Sequence, residues 1–416
     1  MKRKLSRYVA GGILTALTLS ICLHAQEIKL GSKTVQVHGF GTQGFIHTND
    51  NNWLTMKTSN IGSGAFTDAG VNMTMQVRSN LRIGGQGYDR RLGQLGDWHP
   101  QLDWALADYR FRPWLGFRGG KVKTVLGLYN DSQDVDSAHT FALLPQSVYS
   151  IDMRDATLSH IGGDVYGTIK AQRYGKFCYT GYVGDQIQST HGGYPYLLTV
   201  HGIYINKTGG LTYGGDLRWQ MPVKGLLTGV SYEENHVRNT GELNPSVALG
   251  GPNVLVPYWE QSRSQFTKQY YAEYTHGNLR VDSEYRRFWR DFTIFDGQFL
   301  ALIGTHGWYQ SAAYQVNKWF EFGGYYSHFG EDWIVTVPGQ VEAASESDPS
   351  RHIYDKVVTA RFDMYTHWYV KAEGHLMGGN AAGNNPMYPD GFYTQVNLQG
   401  IKPNTNALVV RAGFSF

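Results

Sequence analysis

Three aspartates fall at positions 131, 134 and 136 of the stretch YNDSQDVDSAHTFALLPQSVYSIDMRD, residues 129–155. Closely spaced carboxylates suit either a calcium loop or a negative rim facing basic groups across a passage. The spacing departs from the EF-hand loop, and no glutamate stands where its bidentate ligand belongs. GFGTQG, Gly39 to Gly44, matches the dinucleotide fingerprint GxGxxG, yet no helix follows it. Those glycines ease a curved strand or leave room for neighbouring aromatic rings. Fifteen histidines invite a hydrolase reading, but no GxSxG or HExxH signature occurs. The chain is therefore read as a non-enzyme with no cofactor and no metal-ligand set.

The remaining chemistry is a series of charged residues set among alternating apolar ones. In LTYGGDLRWQ, Leu211, Tyr213, Leu217 and Trp219 share one parity while Thr212, Asp216, Arg218 and Gln220 share the other. NKWFEFGGYYSH and VVTARFDM repeat the pattern, with Phe320, Phe322 and Tyr326 on one face and Val358, Ala360, Phe362 and Met364 on another. A period of two is a strand pattern, and it excludes helix. The chain is also rich in turn and strand formers, with 51 Gly, 28 Tyr, 19 Phe and 11 Trp.

The N-terminus reads as an export signal. MKRKLSRY carries Lys2, Arg3, Lys4 and Arg7, and VAGGILTALTLSICL follows as an apolar run of about 15 residues, too short to span a bilayer as a helix. Ala25 offers a cleavage site before Gln26. Cys22 raises a lipoprotein alternative, although Ile21 stands where a lipobox wants a small residue. The expectation is a cleaved signal peptide, 1–25, and a single transmembrane β-barrel domain, 26–416. Cleavage takes four of the 37 basic residues and none of the 34 acidic ones, leaving a net charge of about −1. That balance removes the case for a nucleic-acid partner. The mature chain keeps one cysteine, Cys178, so it has no internal disulfide.

An exported chain of short alternating segments carries the signature of an outer-membrane barrel. Short joints occur at Arg78 to Asn80, Arg112 to Trp114, Arg173 to Lys176, Met221 to Gly225, His276 to Asn278, Val316 to Lys318 and Tyr365 to His367. These seven turns, an opening strand near Thr34 to His47 and a closing C-terminal strand predict about sixteen strands with both ends on the periplasmic side. Long connections are expected at 48–66, 89–100, 129–157, 185–210, 238–266, 291–303, 330–350 and 379–402. Leu197 to Ile205 reads as a hairpin arm above the bilayer. The fold class is all-β, a transmembrane antiparallel up-and-down β-barrel.

LDWALADYRFRPWLGFRGGKVKTVLGLYNDSQDVD with LLPQSVYS, LRWQMPVKGLLTGVSY, YYAEYTHGNLRVDSEYRRF and WYVKAEGH resemble, in that order, strands and turns of Gram-negative porin-like outer-membrane proteins, themselves similar to sixteen-stranded trimeric general porins. The resemblance implies a passive diffusion channel, a homotrimer in the outer membrane, and an inward-folded constriction loop after the fifth strand. Phe414 and Phe416, closing ALVVRAGFSF, are similar to the signal that barrel-assembly machinery recognises in this class.

Burying Arg at the lipid midplane costs about 2–4 kcal/mol, so a mid-strand Arg marks the lumen face. By that rule Arg82, Arg110, Arg218, Arg280, Arg361 and Arg411 line the pore, together with Arg118, although Gly119 and Gly120 can bulge its strand. Two readings of these arginines stand. In one, part of the set faces Asp131, Asp134 and Asp136 as constriction-loop acids and sets a transverse field. In the other, the arginines pair with neighbouring strand carboxylates, as Arg280, Asp282, Glu284 and Arg286 would along one strand. Trp114, Trp219, Trp319 and Trp368, each beside a short turn, read as an interfacial girdle. Tyr194, Tyr196 and Tyr258 are placed in external loops within reach of saccharide. The expected partners are outer-membrane lipid, ions and small hydrophilic solutes. The alternatives are a substrate-specific channel for sugar, organic acid or anion, and an outer-membrane barrel enzyme.

Overall fold

Leu408 and Val409 are neighbours in the last strand, yet Leu408 is 48% exposed and Val409 is fully buried. The same alternation runs round the molecule. Leu211, Leu217, Val358 and Phe322 lie on an exposed apolar outer face, while Asp216, Glu331, Lys371 and Glu373 are buried inside. This inverts a water-soluble fold and matches a strand that has lipid on one side and a polar lumen on the other.

The computed structural model describes residues 26–199, 201–337, 340–347, 351–379 and 402–416. The signal peptide expected at 1–25 and most of the connection expected at 379–402 lie outside the described residues. The strands are β1 (Gln26–Leu30), β2 (Lys33–Thr48), β3 (Ser63–Arg78), β4 (Leu81–Leu92), β5 (Gln101–Arg112), β6 (Leu115–Lys123), β7 (Ser159–Lys170), β8 (Lys176–Asp185) and β9 (Ile203–Gln220). They continue with β10 (Leu226–Leu243), β11 (Val256–His276), β12 (Leu279–Ile294), β13 (Phe299–Asn317), β14 (Phe320–Val337), β15 (Gln340–Ala344), β16 (His352–Met364), β17 (Trp368–Gly379) and β18 (Asn404–Ser415). Each pairs antiparallel with its neighbour, and β18 returns to pair with β2, closing a 16-strand barrel. β1 and β15 are appendages, folded back on β2 and on the far end of β14. Among the described residues, three short helices sit in the connections, α1 (Arg154–Thr157), α2 (Gly193–Thr199) and α3 (Pro245–Leu249).

All seven short joints are present where the alternation breaks, and they gather at one end. The opposite end carries the long connections, several of them shorter than expected. The connection expected at 238–266 occupies only 244–255, because β10 and β11 run on, paired with each other and flanked by β9 and β12. Beyond the lipid both faces of a strand are wet, so alternation fades while the hydrogen-bond ladder continues. Leu197 to Ile205 is not a hairpin arm. Leu197 and Leu198 sit in α2, and Ile203 begins β9. Leu197 is buried with Ile46, Trp53 and Leu143, and Leu198 with Ile205, Leu243 and Tyr258, so that run serves packing at the barrel mouth.

The seam of the barrel explains GFGTQG. The Phe416 amide donates to the Gly39 carbonyl at 2.9 Å and the Gly39 amide to the Phe416 carbonyl at 3.2 Å. A Cβ on Gly39 would run into the Phe416 ring, and one on Gly41 would lie 2.9 Å from the Phe414 ring. Both glycines therefore make room for the terminal aromatics, which stack on each other, with Phe414 packed at a tilt against Trp368 beside the short-turn end.

Candidate functional site

After β6, the fifth strand of the closed barrel, the chain leaves the sheet and does not rejoin it until β7. Residues 124–158 are tied to side chains on the lumen face of strands around the whole wall. Lys123 holds Asp134 at 2.6 Å, and Gln86 on β4 donates to the same carboxylate at 2.5 Å. Arg90 on β4 reaches Asp155 at 3.0 Å and the Ile151 carbonyl at 2.6 Å, and Arg154 pairs with Asp103 on β5 at 2.5 Å. On the facing wall, Glu284 of β12 accepts from the Tyr149 hydroxyl at 2.7 Å and the Leu128 amide at 3.1 Å. Asp282 accepts from Tyr129 at 2.7 Å, and Arg280 donates to Thr140 at 2.8 Å.

The closing strands hold the middle of this segment. Asp136 begins a single 3₁₀ turn and lies 2.8 Å from Arg411 Nη1 and 2.9 Å from Lys371 Nζ. Arg411 also pairs with Asp68 at 2.5 Å and donates to the Ala142 carbonyl at 3.0 Å. Lys371 donates to the carbonyls of Asp136 and Phe141 at 2.7 and 2.9 Å, and Glu373 accepts from the amides of Ala142 and Leu143 at 2.9 and 3.2 Å. Arg361 donates to the Ser137 and His139 carbonyls at 2.8 and 2.7 Å. Carbonyls and amides that residues 136–143 would otherwise bury unpaired thus find charged partners on the wall.

Charge within the segment follows from this packing. Burial opposes ionisation of Asp136, but Arg411 and Lys371 outweigh it and hold the carboxyl below its ordinary range. Asp134 behaves the same way, with Lys123 and Arg154 overcoming burial. His139 is buried against Tyr129, and desolvation pushes its imidazole down to about 4 despite the hydrogen bond to the Ser132 carbonyl.

The arginines read from the sequence divide into two groups. Arg218, Arg280, Arg361 and Arg411 meet the 124–158 segment, Arg218 through the Gly127 carbonyl at 2.8 Å. Arg82, Arg110 and Arg118 do not. Arg82 pairs with Asp108 at 3.2 Å and Arg118 with Asp164 at 2.8 Å, while Arg110 stands exposed near the short-turn end of β5. Strand neighbours also pair at Arg218–Asp216 (3.1 Å), Arg280–Asp282 (3.4 Å) and Arg361–Asp363 (2.8 Å), the ladder arrangement. The aspartates do not form one rim. Asp134 and Asp136 bind different cations, and the Asp131 backbone carbonyl, not its side chain, accepts from Lys123 at 3.0 Å. They do not share a calcium cage either. Tyr258 is not in a loop but buried in β11, and the Tyr194 hydroxyl is engaged by Glu260 and Arg290.

A cavity of about 130 Å³ remains between residues 146–157 and strands β10 to β13. Glu233, Asn235, Gln265, Arg286, Arg290 and Tyr194 are among its lining residues. Arg290 is neutralised by Glu260 at 2.7 Å. Arg286 donates to the Val148 carbonyl at 2.8 Å and forms no ion pair among the described residues. Arg290 and Lys371 were not singled out from the sequence, although both fall on the lumen parity of their strands, Arg290 with Glu284 and Arg286, Lys371 with Glu373.

No family model matches the chain, and no curated protein matches it. Solved structures do. The anion-selective porin from Comamonas acidovorans superposes with a TM-score of 0.54 at 10% identity, covering 92% of this chain and 100% of that one. This is the porin fold. Salmonella typhi OmpF, solved with daunomycin, gives a TM-score of 0.53 at 12% identity over 94% of this chain and all of its own. A structure of OmpT from Vibrio cholerae, an outer membrane protein described in its trimer form, gives 0.52 at 12% over 93% of this chain and 100% of that one. The porin fold thus recurs here with almost none of those sequences kept, as expected where lipid and lumen constrain only the alternation of side chains.

Proposed function

We propose that this protein is an outer-membrane porin of a Gram-negative bacterium, a water-filled channel through which ions and small hydrophilic solutes diffuse passively, with residues 124–158 as the constriction. The observation that carries the reading is the charged cavity left between that segment and the β10–β13 wall, inside a barrel whose outer face is apolar. A folded interior segment stitched to opposite walls narrows a lumen without sealing it. The proposed assembly is a homotrimer embedded in outer-membrane lipid, a reading supported by the trimer form of the Vibrio cholerae protein with the same fold. We assign it no covalent chemistry; its lumen side chains serve as solvating and binding groups.

A second reading is a substrate-specific channel, in which Glu233, Asn235, Arg286 and Tyr194 lining the cavity serve as polar contacts for one solute class. Protein folded into planar bilayers is expected to give stepwise ionic currents. A folded preparation that never conducts overturns both readings, and a current that saturates with one solute class favours the second.

A further inference from the structure

On the outer face of the barrel, far from the lumen, two imidazoles and a carboxylate converge. His306 on β13 shares its parity with Trp308 and Tyr314, and His328 on β14 shares its parity with Phe322 and Tyr326, all lipid-side positions. Across the β13–β14 ladder Trp308 faces His328 and Gly330 faces His306, so the two histidines are diagonal neighbours with ring centroids 5.5 Å apart. Glu346 comes down over them from the connection beyond β15. Its Oε1 lies 2.9 Å from His328 Nε2 and its Oε2 3.3 Å from His306 Nε2. One donor atom from each of the three residues falls within 4.8 Å of the other two.

Several features indicate a built site and not a chance ion pair. The His328 Nε2 contact to Glu346 is close, but its direction is not that of a hydrogen bond. Two ligands aimed at a shared cation approach each other in this manner. Gly330 supplies the room: a Cβ there would lie 2.6 Å from the Glu346 carboxyl carbon and 2.9 Å from His306 Cε1. The loop is fixed on either side of the carboxylate, since the Glu346 amide donates to Asp332 at 3.2 Å and its carbonyl accepts from His352 Nδ1 at 2.9 Å. Tyr354 packs on His328 with centroids 4.4 Å apart, and Trp308 lies on the other side at 6.1 Å.

We infer that His306, His328 and Glu346 form a binding site for a divalent transition-metal ion, with zinc as the best match, that clamps residues 345–347, just beyond β15, to the outside of the barrel. Two imidazoles and one carboxylate are a borderline-soft set that suits Zn²⁺, whereas Ca²⁺ and Mg²⁺ demand oxygen ligands. Tetrahedral bonds of about 2.0–2.1 Å put neighbouring ligand atoms roughly 3.3 Å apart, so the three side chains, with donor atoms within 4.8 Å of one another, need only a small adjustment to share one ion. The remaining coordination position is left for water. Arg287, the cross-strand partner of His306 on β12, adds one positive charge nearby, which Glu346 and Asp332 offset. At about 2.5 Å of height per tilted strand residue, His328, eight residues above Phe320, stands roughly 20 Å up, near the top of an apolar band about 25 Å tall. A metal there joins an external loop to the rim of the lipid-facing surface.

The test is calorimetric titration of ZnCl₂ into the folded full chain in detergent at neutral pH. One Zn²⁺ per chain is expected, and H306Q, H328Q and E346Q are each expected to weaken it by about tenfold or more. G330A, which keeps every donor but fills the cradle, should also weaken it. These residues lie outside the lumen, so single-channel conductance should match the parent and certifies that each variant is folded. Zn²⁺ should also protect residues 340–347 from protease in the parent and not in the H306Q/H328Q double variant. A folded parent that binds no Zn²⁺, or undiminished binding in the double variant, overturns the assignment. If a histidine variant does not fold, E346Q, which alters only the loop, decides. A channel that conducts normally yet ignores Zn²⁺ separates failure here from failure of the porin reading.

Discussion

Arg411 Nη1 lies 2.8 Å from Asp136 Oδ1, which joins the last strand of the barrel to the middle of the segment inside it. The same guanidinium reaches Asp68 on β3, and Lys371 grips Asp136 from the neighbouring strand. The residue that orients the closing strand therefore also anchors the interior segment, so closure of the barrel and placement of that segment depend on one buried cluster.

Replacing Asp136 by Asn leaves Arg411 with Asp68 as its remaining carboxylate and leaves Lys371, fully buried, without its carboxylate. Breaking a buried pair in this way costs about 3–5 kcal/mol. Asp134→Asn should cost much less, because Lys123 is partly exposed and can turn to water. Asp136→Asn is expected to loosen residues 130–145, raising their hydrogen exchange and the open-channel conductance, with Asp134→Asn close to the parent on both measures.

Acid should loosen the same segment in two stages. His139 has its folded value pushed down from 6.5 to about 4 by burial, so the neutral form is favoured inside. The stability tied to it is complete above pH 6.5 and is lost as pH falls toward 4, at most about 3 kcal/mol. Asp134, Asp136 and Asp155 are depressed below 3.8, the first two by the cations named above and Asp155 by Arg90 and Arg154 against its own burial, so their share is lost only as pH falls further. The protection of residues 130–145 against hydrogen exchange, taken relative to the intrinsic amide rate at each pH from 7 to 3, is expected to fall first between 6.5 and 4. In His139→Gln that first leg should vanish while the lower one stays.

The seam predicts a packing defect with a direction. Gly39→Val places branched carbon where the Phe416 ring lies, and overpacking of this kind typically costs about 1–3 kcal/mol. Phe416→Ala removes the ring and should relieve that clash, so the double variant is expected to fold better than Gly39→Val alone. Heat-modifiable migration after folding into vesicles reads the yield of closed barrel. A Gly39→Val protein that closes as readily as the parent contradicts this account of the seam.

Much of this was legible in the sequence, and the remainder was hidden for identifiable reasons. Period-two alternation with short turns is a local signal, so the strand count and the inward face of Arg218, Arg361 and Arg411 could be read directly. The partner of Arg411 could not, since Asp136 lies 275 positions away and no local rule says which loop atom meets which wall. The reading in which arginines of the wall face the loop aspartates has its contact in Arg411 and Asp136, but nothing local revealed that Lys123 and Lys371 would also take up Asp134 and Asp136. Lys371 was missed although it alternates with Glu373, because only arginines were used to mark the lumen. Arg90 fell in a stretch read as connection, because β4 runs on to Leu92. Leu197 and Leu198 misled because their apolar character serves a helix packed on the barrel mouth.

Arg286 should govern ion preference. It lines the cavity with Glu233 and has no carboxylate within ion-pair distance among the described residues, whereas Arg290 beside it is matched by Glu260. An unpaired cation in a narrow polar passage raises the local concentration of anions and opposes cations. Arg286→Gln is expected to move the reversal potential in a potassium chloride gradient toward the cation side, whereas Arg82→Gln, partly exposed near the short-turn end, should leave it nearly unchanged. Raising the salt concentration should shrink the Arg286 effect, since screening shortens the reach of the charge. If Arg286→Gln conducts with the parental reversal potential, the route for ions does not pass the β10–β13 cavity.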